Sequence, residues 1–423
     1  MKQKIYPIEE HGLPIDQIDR DALYVMEKLQ SAGYIAYLVG GSVRDLLLRK
    51  TPKDFDISTS AEPEEIKKLF RNCILIGRRF RLAHVRFGKK VVEVATFRSG
   101  DLESTDLVIR DNKWGSEEED VMRRDFTING LFYDPSTQTI IDYVGGYPDA
   151  LRKYLRTIGQ PFVRFKQDPV RMIRLLKFQA RFGLEIDPDA RIALLECRHE
   201  ILKSSSARVL EELLRMLELG SACSFFRLMT EHGLLQLMMP ALAEFLEKDE
   251  GEEIYDFLQE VDSTFHEPPL PILERPVLVS CLLFPIFQRR LLTRYEDRGR
   301  HPHLGEILFE ANDLIDEVFS TFFHISRRLK VGISSVLTAQ FRLTPFEKKR
   351  GKHLRVPNDP DFPLALKFLE VRAALEPGLQ KVVEDWNLAL TSPQLPPKKR
   401  RRRKKSKSGT PEGKGHSGSE PNA

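Results

Sequence analysis

The sequence predicts an α+β chain: a head built on a mixed sheet, an all-α neck and body, and a basic tail without stable structure of its own. Three observations lead there. Strand-like and helix-like runs alternate from residue 31 to about 150, and helical periodicity takes over from 151 to 390. From 391 the chain is proline, serine, glycine and basic residues with no apolar period. The predicted units are therefore an N-terminal extension (1–30), a head (31–150), a neck (151–245), a body (246–390) and a tail (391–423).

In the head, Tyr34–Val39 is a β-prone run that stops at Gly40-Gly41. Val43, Leu46 and Leu47 then recur at helical spacing. Asp54-Phe55-Asp56-Ile57 alternates polar and apolar, the pattern of a half-buried strand, and Val91–Phe97 reads as another strand. Glu64–Phe70 is a short helix behind a Thr59-Ser60 cap signal. Asp134-Pro135 and Asp142-Tyr143-Val144-Gly145-Gly146 are turn residues that close the sheet. Beyond it, Asp168–Phe182, Ala207–Leu219 and Cys223–Leu237 are expected as amphipathic helices, followed by an acidic, then proline-rich seam over 248–276. Helical signals resume at 277–291, 304–330 and 363–390.

Composition narrows the class. A chain of 423 residues exceeds what one hydrophobic core usually serves. No run approaches the roughly 18 apolar residues of a membrane span, and the first residues lack a signal-peptide core. Four scattered cysteines have no zinc or disulfide spacing and suit a reducing cytoplasm. The net charge of +4 conceals an asymmetry: residues 398–423 hold ten Lys or Arg and two Glu, net +8, so the rest carries 4 − 8 = −4. An acidic body bears a cationic appendage.

The chemistry concentrates in Gly40-Gly41-Ser42-Val43-Arg44-Asp45 and, nine residues on, Asp54-Phe55-Asp56. Residues i and i+2 of a strand share a face, so Asp54 and Asp56 project two carboxylates side by side. Like charges so close repel unless a cation lies between them, and magnesium takes oxygen ligands of this kind together with substrate phosphates. The glycine turn, with Gly40, Gly41 and Ser42 at a helix start, suits an approaching phosphate, and Arg44 in that first turn suits a triphosphate. Each motif alone also fits an ordinary surface strand and an ordinary turn; the two in this order and spacing point to function.

This combination resembles the head of the class II nucleotidyltransferases, the group of the CCA-adding tRNA enzymes and the bacterial poly(A) polymerases. The resemblance implies a polymerase-β-type catalytic head, magnesium held by Asp54 and Asp56, and a nucleoside triphosphate as substrate. Arg123-Arg124-Asp125-Phe126-Thr127-Ile128-Asn129 is similar to the family's ribose-recognition motif. On chemistry alone Arg124 suits phosphate, and Asp125 and Asn129 suit ribose hydroxyls, although a charged helix start capped by Asp125 fits equally. With the resemblance Asp125 is expected as the third functional acid, with Glu93 its rival. Gln167-Asp168-Pro169-Val170-Arg171 resembles the nucleotide-selecting motif, usually Glu-Asp-x-x-Arg, with Gln167 in place of the glutamate. Asp168 and Arg171 are three apart on one helical face, an acceptor and a donor fork for a base edge, or simply a cap with its local ion pair. Arg174 extends that face toward the phosphates.

Between the two subclasses, Gly77-Arg78-Arg79-Phe80-Arg81-Leu82-Ala83-His84 resembles the bacterial poly(A) polymerases; CCA-adding enzymes more often have Gly-Thr near Ala83-His84. That reading makes ATP the substrate. Arg78, Arg79 and Arg81 form a basic loop suited to an RNA primer. The tail run Lys398, Lys399, Arg400, Arg401, Arg402, Arg403, Lys404 and Lys405 suits sequence-independent, salt-sensitive RNA binding and a contact with RNA-decay machinery. A nuclear signal or a solubilising tail are the alternatives for that run. The expected partner is an RNA 3′ end, with no membrane, in the cytoplasm.

Overall fold

A computed structural model describes residues 3–77, 82–100, 113–265, 273–344, 354 and 356–391. Eight strands form the head's sheet: β1 (Lys4–Tyr6), β2 (Ala36–Val39), β3 (Ile57–Thr59), β4 (Cys73–Ile76), β5 (Leu82–Phe87), β6 (Lys90–Thr96), β7 (Leu131–Asp134) and β8 (Thr139–Asp142). Their order is β1-β8-β7-β2-β3-β6-β5-β4. The β3–β6 pair is parallel and every other pair antiparallel, so the sheet is mixed, as expected. Helices Arg20–Ser31 and Pro63–Leu69 pack on it, where Val25, Met26, Leu29 and Ile66 join Leu38, Val85 and Val94 in one core.

Two local expectations shift. Helix Pro63–Leu69 is not capped by Thr59-Ser60: Thr59 belongs to β3, and Glu62 forms a reciprocal capping box with Glu65. The strand β3 begins at Ile57, after the aspartate pair rather than around it. At the sheet's other end, the Asp142 carboxylate accepts hydrogen bonds from the N–H groups of Val144, Gly145, Gly146 and Tyr147. It thereby ties β8 to the chain that leaves the sheet.

Among the described residues from Pro161 onward the regular structure is helical apart from the short Glu185–Ile186 strand, which pairs with Tyr154–Leu155. Helix Val170–Phe182 packs Met172, Ile173, Leu176 and Phe178 into a large helical core. Phe126 and Ile128 of the head sit in that same core, so head and neck are joined by apolar packing. The expected 223–237 helix is two, Ala222–Glu231 and Leu234–Met238, broken where Gly233 adopts φ +73°. The acidic half of the predicted 248–276 seam is a helix, Glu252–Thr264, because Ile254, Tyr255, Phe257, Leu258 and Val261 recur at helical spacing and are buried. The expected 304–330 helix is likewise split, into Leu304–Phe319 and Arg327–Leu343. Helix Arg275–Arg294 has the length and composition of a membrane span, yet Val277–Pro285, Phe287 and Leu291 are buried. It serves as the centre of the helical core.

Candidate active site

The parallel pairing of β3 and β6 sets the site. Ile57 lies opposite Val94, so one residue back along both chains Asp56 and Glu93 become neighbours. Asp54 and Asp56 lie in the segment that leads into β3, and the Val39 N–H donates to the Asp56 carbonyl at 3.1 Å, carrying the sheet register through that residue. Asp54, Asp56 and Glu93 all face a cleft of about 1630 Å³ between head and neck. Desolvation by the surrounding walls, with Glu93 and then Asp54 beside it, pushes the Asp56 carboxyl up to about 6, while Arg124 opposes the rise. A carboxylate so affected by its neighbours is a place for a cation, and its hard oxygen donors suit magnesium. Among the described residues no three such groups converge as a closed metal cage.

Beside Asp56, at the end of the adjoining strand β2, stands the glycine turn. Gly40 adopts φ +68°, and a Cβ there would lie 3.1 Å from Nη1 of Arg124. Glycine thus serves both the backbone and the close approach of the arginine. Ser42 uses its hydroxyl inside the turn, donating to the Val39 carbonyl at 3.2 Å. Arg124 is aimed by Asp120, a residue that sequence reasoning missed. Fully buried, Asp120 pairs with Arg123 and Arg124, each at 2.7 Å, and also accepts from the Arg98 N–H at 3.2 Å. Although burial raises its pKa, the guanidinium groups of Arg124 and Arg123 hold the carboxyl below the usual range.

Arg44, expected to reach a triphosphate, lines the cleft with much of its guanidinium engaged by protein. Its Nε and Nη2 donate to Asp45 Oδ1 at 2.8 and 2.5 Å, and its Nη1 donates to Asn129 Oδ1 at 2.7 Å. The guanidinium lies over the rings of Phe178 and Phe182, 4.6 and 4.9 Å from their centroids. These bonds use three of its five N–H donors. Asn129 is similarly occupied, because its Nδ2 donates to Asp125 Oδ1 at 2.9 Å. Asp125 pairs in turn with Arg174 at 2.9 Å, and Asp45 with Arg181 at 3.0 Å. One chain of ion pairs bridged by the Asn129 amide, Arg181–Asp45–Arg44–Asn129–Asp125–Arg174, thus links the glycine-turn helix Gly41–Leu47 to neck helix Val170–Phe182. Burial alone would raise the Asp125 carboxyl; Arg174, Asn129, Arg171 and the Phe126 N–H bring it below the usual range. Asp125 therefore stands among cations, and the acid placed beside Asp56 is Glu93.

Asp168 and Arg171 do not pair locally. Pro169 takes the N-cap position of helix Val170–Phe182, which leaves the Asp168 side chain to receive a bidentate contact from Arg208 at 3.2 and 2.9 Å. Arg171 donates instead to the carbonyls of Arg164 and Arg123, at 3.0 and 3.2 Å. Both still line the cleft, with Arg174. The unusual Gln167 is buried and accepts from Arg164 Nη1 at 2.7 Å. Desolvation first, then Arg171, pushes the Arg164 guanidinium down to about 9. Arg164 also donates to the carbonyls of Arg123 and Arg124, at 2.7 and 2.6 Å, gripping the turn that carries both arginines. Neither Arg164 nor Arg208 carried a motif signal in the sequence. Arg78, Arg79 and Arg81, and Lys398 to Lys405, lie outside the described residues.

Comparison with known proteins adds the following. Residues 36–156 match the family described as Poly A polymerase head domain, and residues 183–246 the one described as Probable RNA and SrmB- binding site of polymerase A. Poly(A) polymerase I of Escherichia coli O157:H7 is 35% identical over 399 residues, covering 90% of this chain and 84% of the relative. A CCA-adding enzyme of Streptococcus gordonii is 35% identical over 253 residues, covering 58% of this chain and 60% of its own. The crystal structure of Bacillus stearothermophilus CCA-adding enzyme in complex with CTP shares the fold, with a TM-score of 0.61 at 24% identity over 87% of this chain and 82% of that one.

Proposed function

This chain belongs to the bacterial poly(A) polymerase family of nucleotidyltransferases, and from that premise we propose that it transfers AMP from ATP to RNA 3′-hydroxyl ends, releasing pyrophosphate. The observation that carries the reading is that Asp54, Asp56 and Glu93 line one cleft with the adjoining glycine turn and Arg124.

In this reading Asp54 and Asp56 hold magnesium, with Glu93 rather than Asp125 as the third acid. The ion, when bound, lowers the barrier by drawing negative charge from the triphosphate and making the RNA hydroxyl more acidic. The rest falls to the protein. Backbone N–H groups of Gly41 and Ser42 meet the phosphates, with Arg124 beside Gly40 as their cationic partner. The 3′-oxygen attacks the α-phosphorus as the bond to the β-phosphate oxygen breaks, and pyrophosphate leaves along the arginine side. Asp125, fixed by Arg174 and Asn129, addresses the ribose. Asp168 and Arg171, held by Arg208 and by two backbone carbonyls, present an acceptor and a donor to the adenine edge. Holding both in one place by protein contacts suits selection of a single base. The primer runs over the cationic residues of the neck wall, Lys177 and Arg181 among them. Arg78, Arg79, Arg81 and the tail run 398–405 add general affinity for RNA, the tail also meeting RNA-decay machinery, in the cytoplasm.

A CCA-adding activity is the second reading, favoured by the fold shared with such an enzyme. Primer extension with a generic short RNA, magnesium and each nucleotide alone separates them, with an Asp54→Ala, Asp56→Ala variant alongside. ATP-only extension without a fixed length, absent in the variant, is the expected result. Extension that needs CTP and stops at CCA makes the chain a tRNA enzyme. RNA binding without any extension makes it a non-catalytic binding protein.

A further inference from the structure

Glu93 poses a problem for the acid cluster. Its side chain is 48% exposed and has three rotatable bonds, so without a tether it samples the open cleft as readily as the position beside Asp56. The structure supplies a tether on the neighbouring strand. His84 of β5 lies directly opposite Glu93 of β6, and opposite residues of an antiparallel pair project to the same face. His84 Nε2 stands 3.3 Å from Glu93 Oε1. Across β5, β6 and the chain entering β3, the three side chains form one row: His84, Glu93, Asp56. The outer member is the least exposed of the contact pair, at 20%, so it is the fixed end.

We propose that His84 is a positioning residue that holds the Glu93 carboxylate beside Asp56 and so raises the affinity of the site for its divalent cation. Groups behind a metal's direct ligands act in this way in many sites, by fixing ligand orientation before the ion arrives. The inference rests on the reading of Asp54, Asp56 and Glu93 as the acids that meet the cation. It also gives a physical task to a residue in the segment 77–84, which is otherwise notable only for its basic character. Because β5 and β6 are adjacent across a tight turn at Gly88, His84 and Glu93 are joined by short-range geometry and not by the packing of distant elements.

The test measures Mn2+ binding to the full chain by electron paramagnetic resonance, without nucleotide or RNA, together with the metal dependence of primer extension. The variants are His84→Ala, His84→Gln, Glu93→Ala and the double His84→Ala, Glu93→Ala. His84→Ala is expected to weaken Mn2+ binding about tenfold and to raise the metal concentration needed for half-maximal extension, with little change at saturating metal. His84→Gln keeps an N–H donor and most of the side-chain volume, so it should restore most of the affinity. In the Glu93→Ala background the loss of His84 should have no further effect, since the tether then has nothing to hold. Unchanged binding in His84→Ala, or a loss of the same size when Glu93 is already absent, overturns the proposal. If Glu93→Ala and Asp54→Ala, Asp56→Ala all bind Mn2+ like the parent, it is the underlying metal-site reading that fails.

Discussion

Asp120→Ala tests whether the arginines of the cleft are placed by a buried carboxylate. Asp120 is fully buried and pairs with Arg123 and Arg124, each at 2.7 Å, while its Oδ1 also accepts the Arg98 N–H. At an effective dielectric near 20, each charge pair with centres roughly 4 Å apart contributes about 4 kcal/mol of Coulomb attraction. Desolvation of the acid and mutual repulsion of the two arginines offset much of that. Both guanidinium groups keep some water, being 23% and 18% exposed. Breaking the pairs should therefore cost about 3 kcal/mol, the low end for a buried pair that loses one partner. The functional loss should be larger in proportion. Arg124 sits against Gly40, and a displacement of about 1 Å at such a position lowers kcat/KM for ATP by up to about 100-fold. Urea unfolding measures the first quantity and single-nucleotide primer extension the second. The sign of the pH dependence gives an internal check. The Asp120 carboxyl is depressed on folding, so its stabilisation is present above the unfolded value of 3.8 and lost as pH falls below it. Asp120→Asn should flatten that acid limb. A variant within about 0.5 kcal/mol of the parent, with an unaltered KM for ATP, would refute the placement argument.

Four further outcomes are expected. Asp56 has its carboxyl raised to about 6, so it is protonated below that pH and offers the metal no charge; Mn2+ affinity should fall up to about tenfold per pH unit below 6, and a flat profile from pH 5 to 7 would contradict this. By the same sign rule a raised carboxyl costs stability as pH climbs from 3.8 to 6, so Asp56→Asn should be the more stable protein at neutral pH in thermal unfolding. Gly40→Ala places a Cβ 3.1 Å from Arg124 at φ +68°. It should lose roughly 1–2 kcal/mol in urea unfolding and raise KM for ATP. Replacing Lys398 to Lys405 by alanine should leave extension at low salt nearly intact but reduce the salt slope of RNA binding by about 0.7 per lost phosphate contact.

Much of the site was legible because it is local. Two carboxylates at i and i+2, a glycine pair before a helix, and Asp-x-x-Arg near a helix start are short-range patterns, and the residues they single out all line the cleft. Where the sequence fell short, a distant partner had intervened. Arg44 lies in the first turn of a helix beside the cleft. Asn129, 85 residues on, and the rings of Phe178 and Phe182 also hold its guanidinium, which the turn alone does not reveal. Asp168 and Arg171 look like a pair at i and i+3, until Arg208 claims one and backbone carbonyls claim the other.

By itself, then, the sequence determined strand runs near β2, β3 and β6, the shift to helices after the head, and the small set of acids and glycines on which chemistry depends; the other five strands of the sheet were not legible in it. These follow from nearest-neighbour physics: periodicity, φ preference and charge spacing. Only the tertiary structure decided which acid stands beside Asp56, because that depends on β3 lying parallel to β6 across more than thirty residues of chain, with Ile57 opposite Val94. It likewise decided that Asp125 belongs to the cations of the neck helix. A carboxylate's role is set by the charges packed around it, and those arrive from remote parts of the chain.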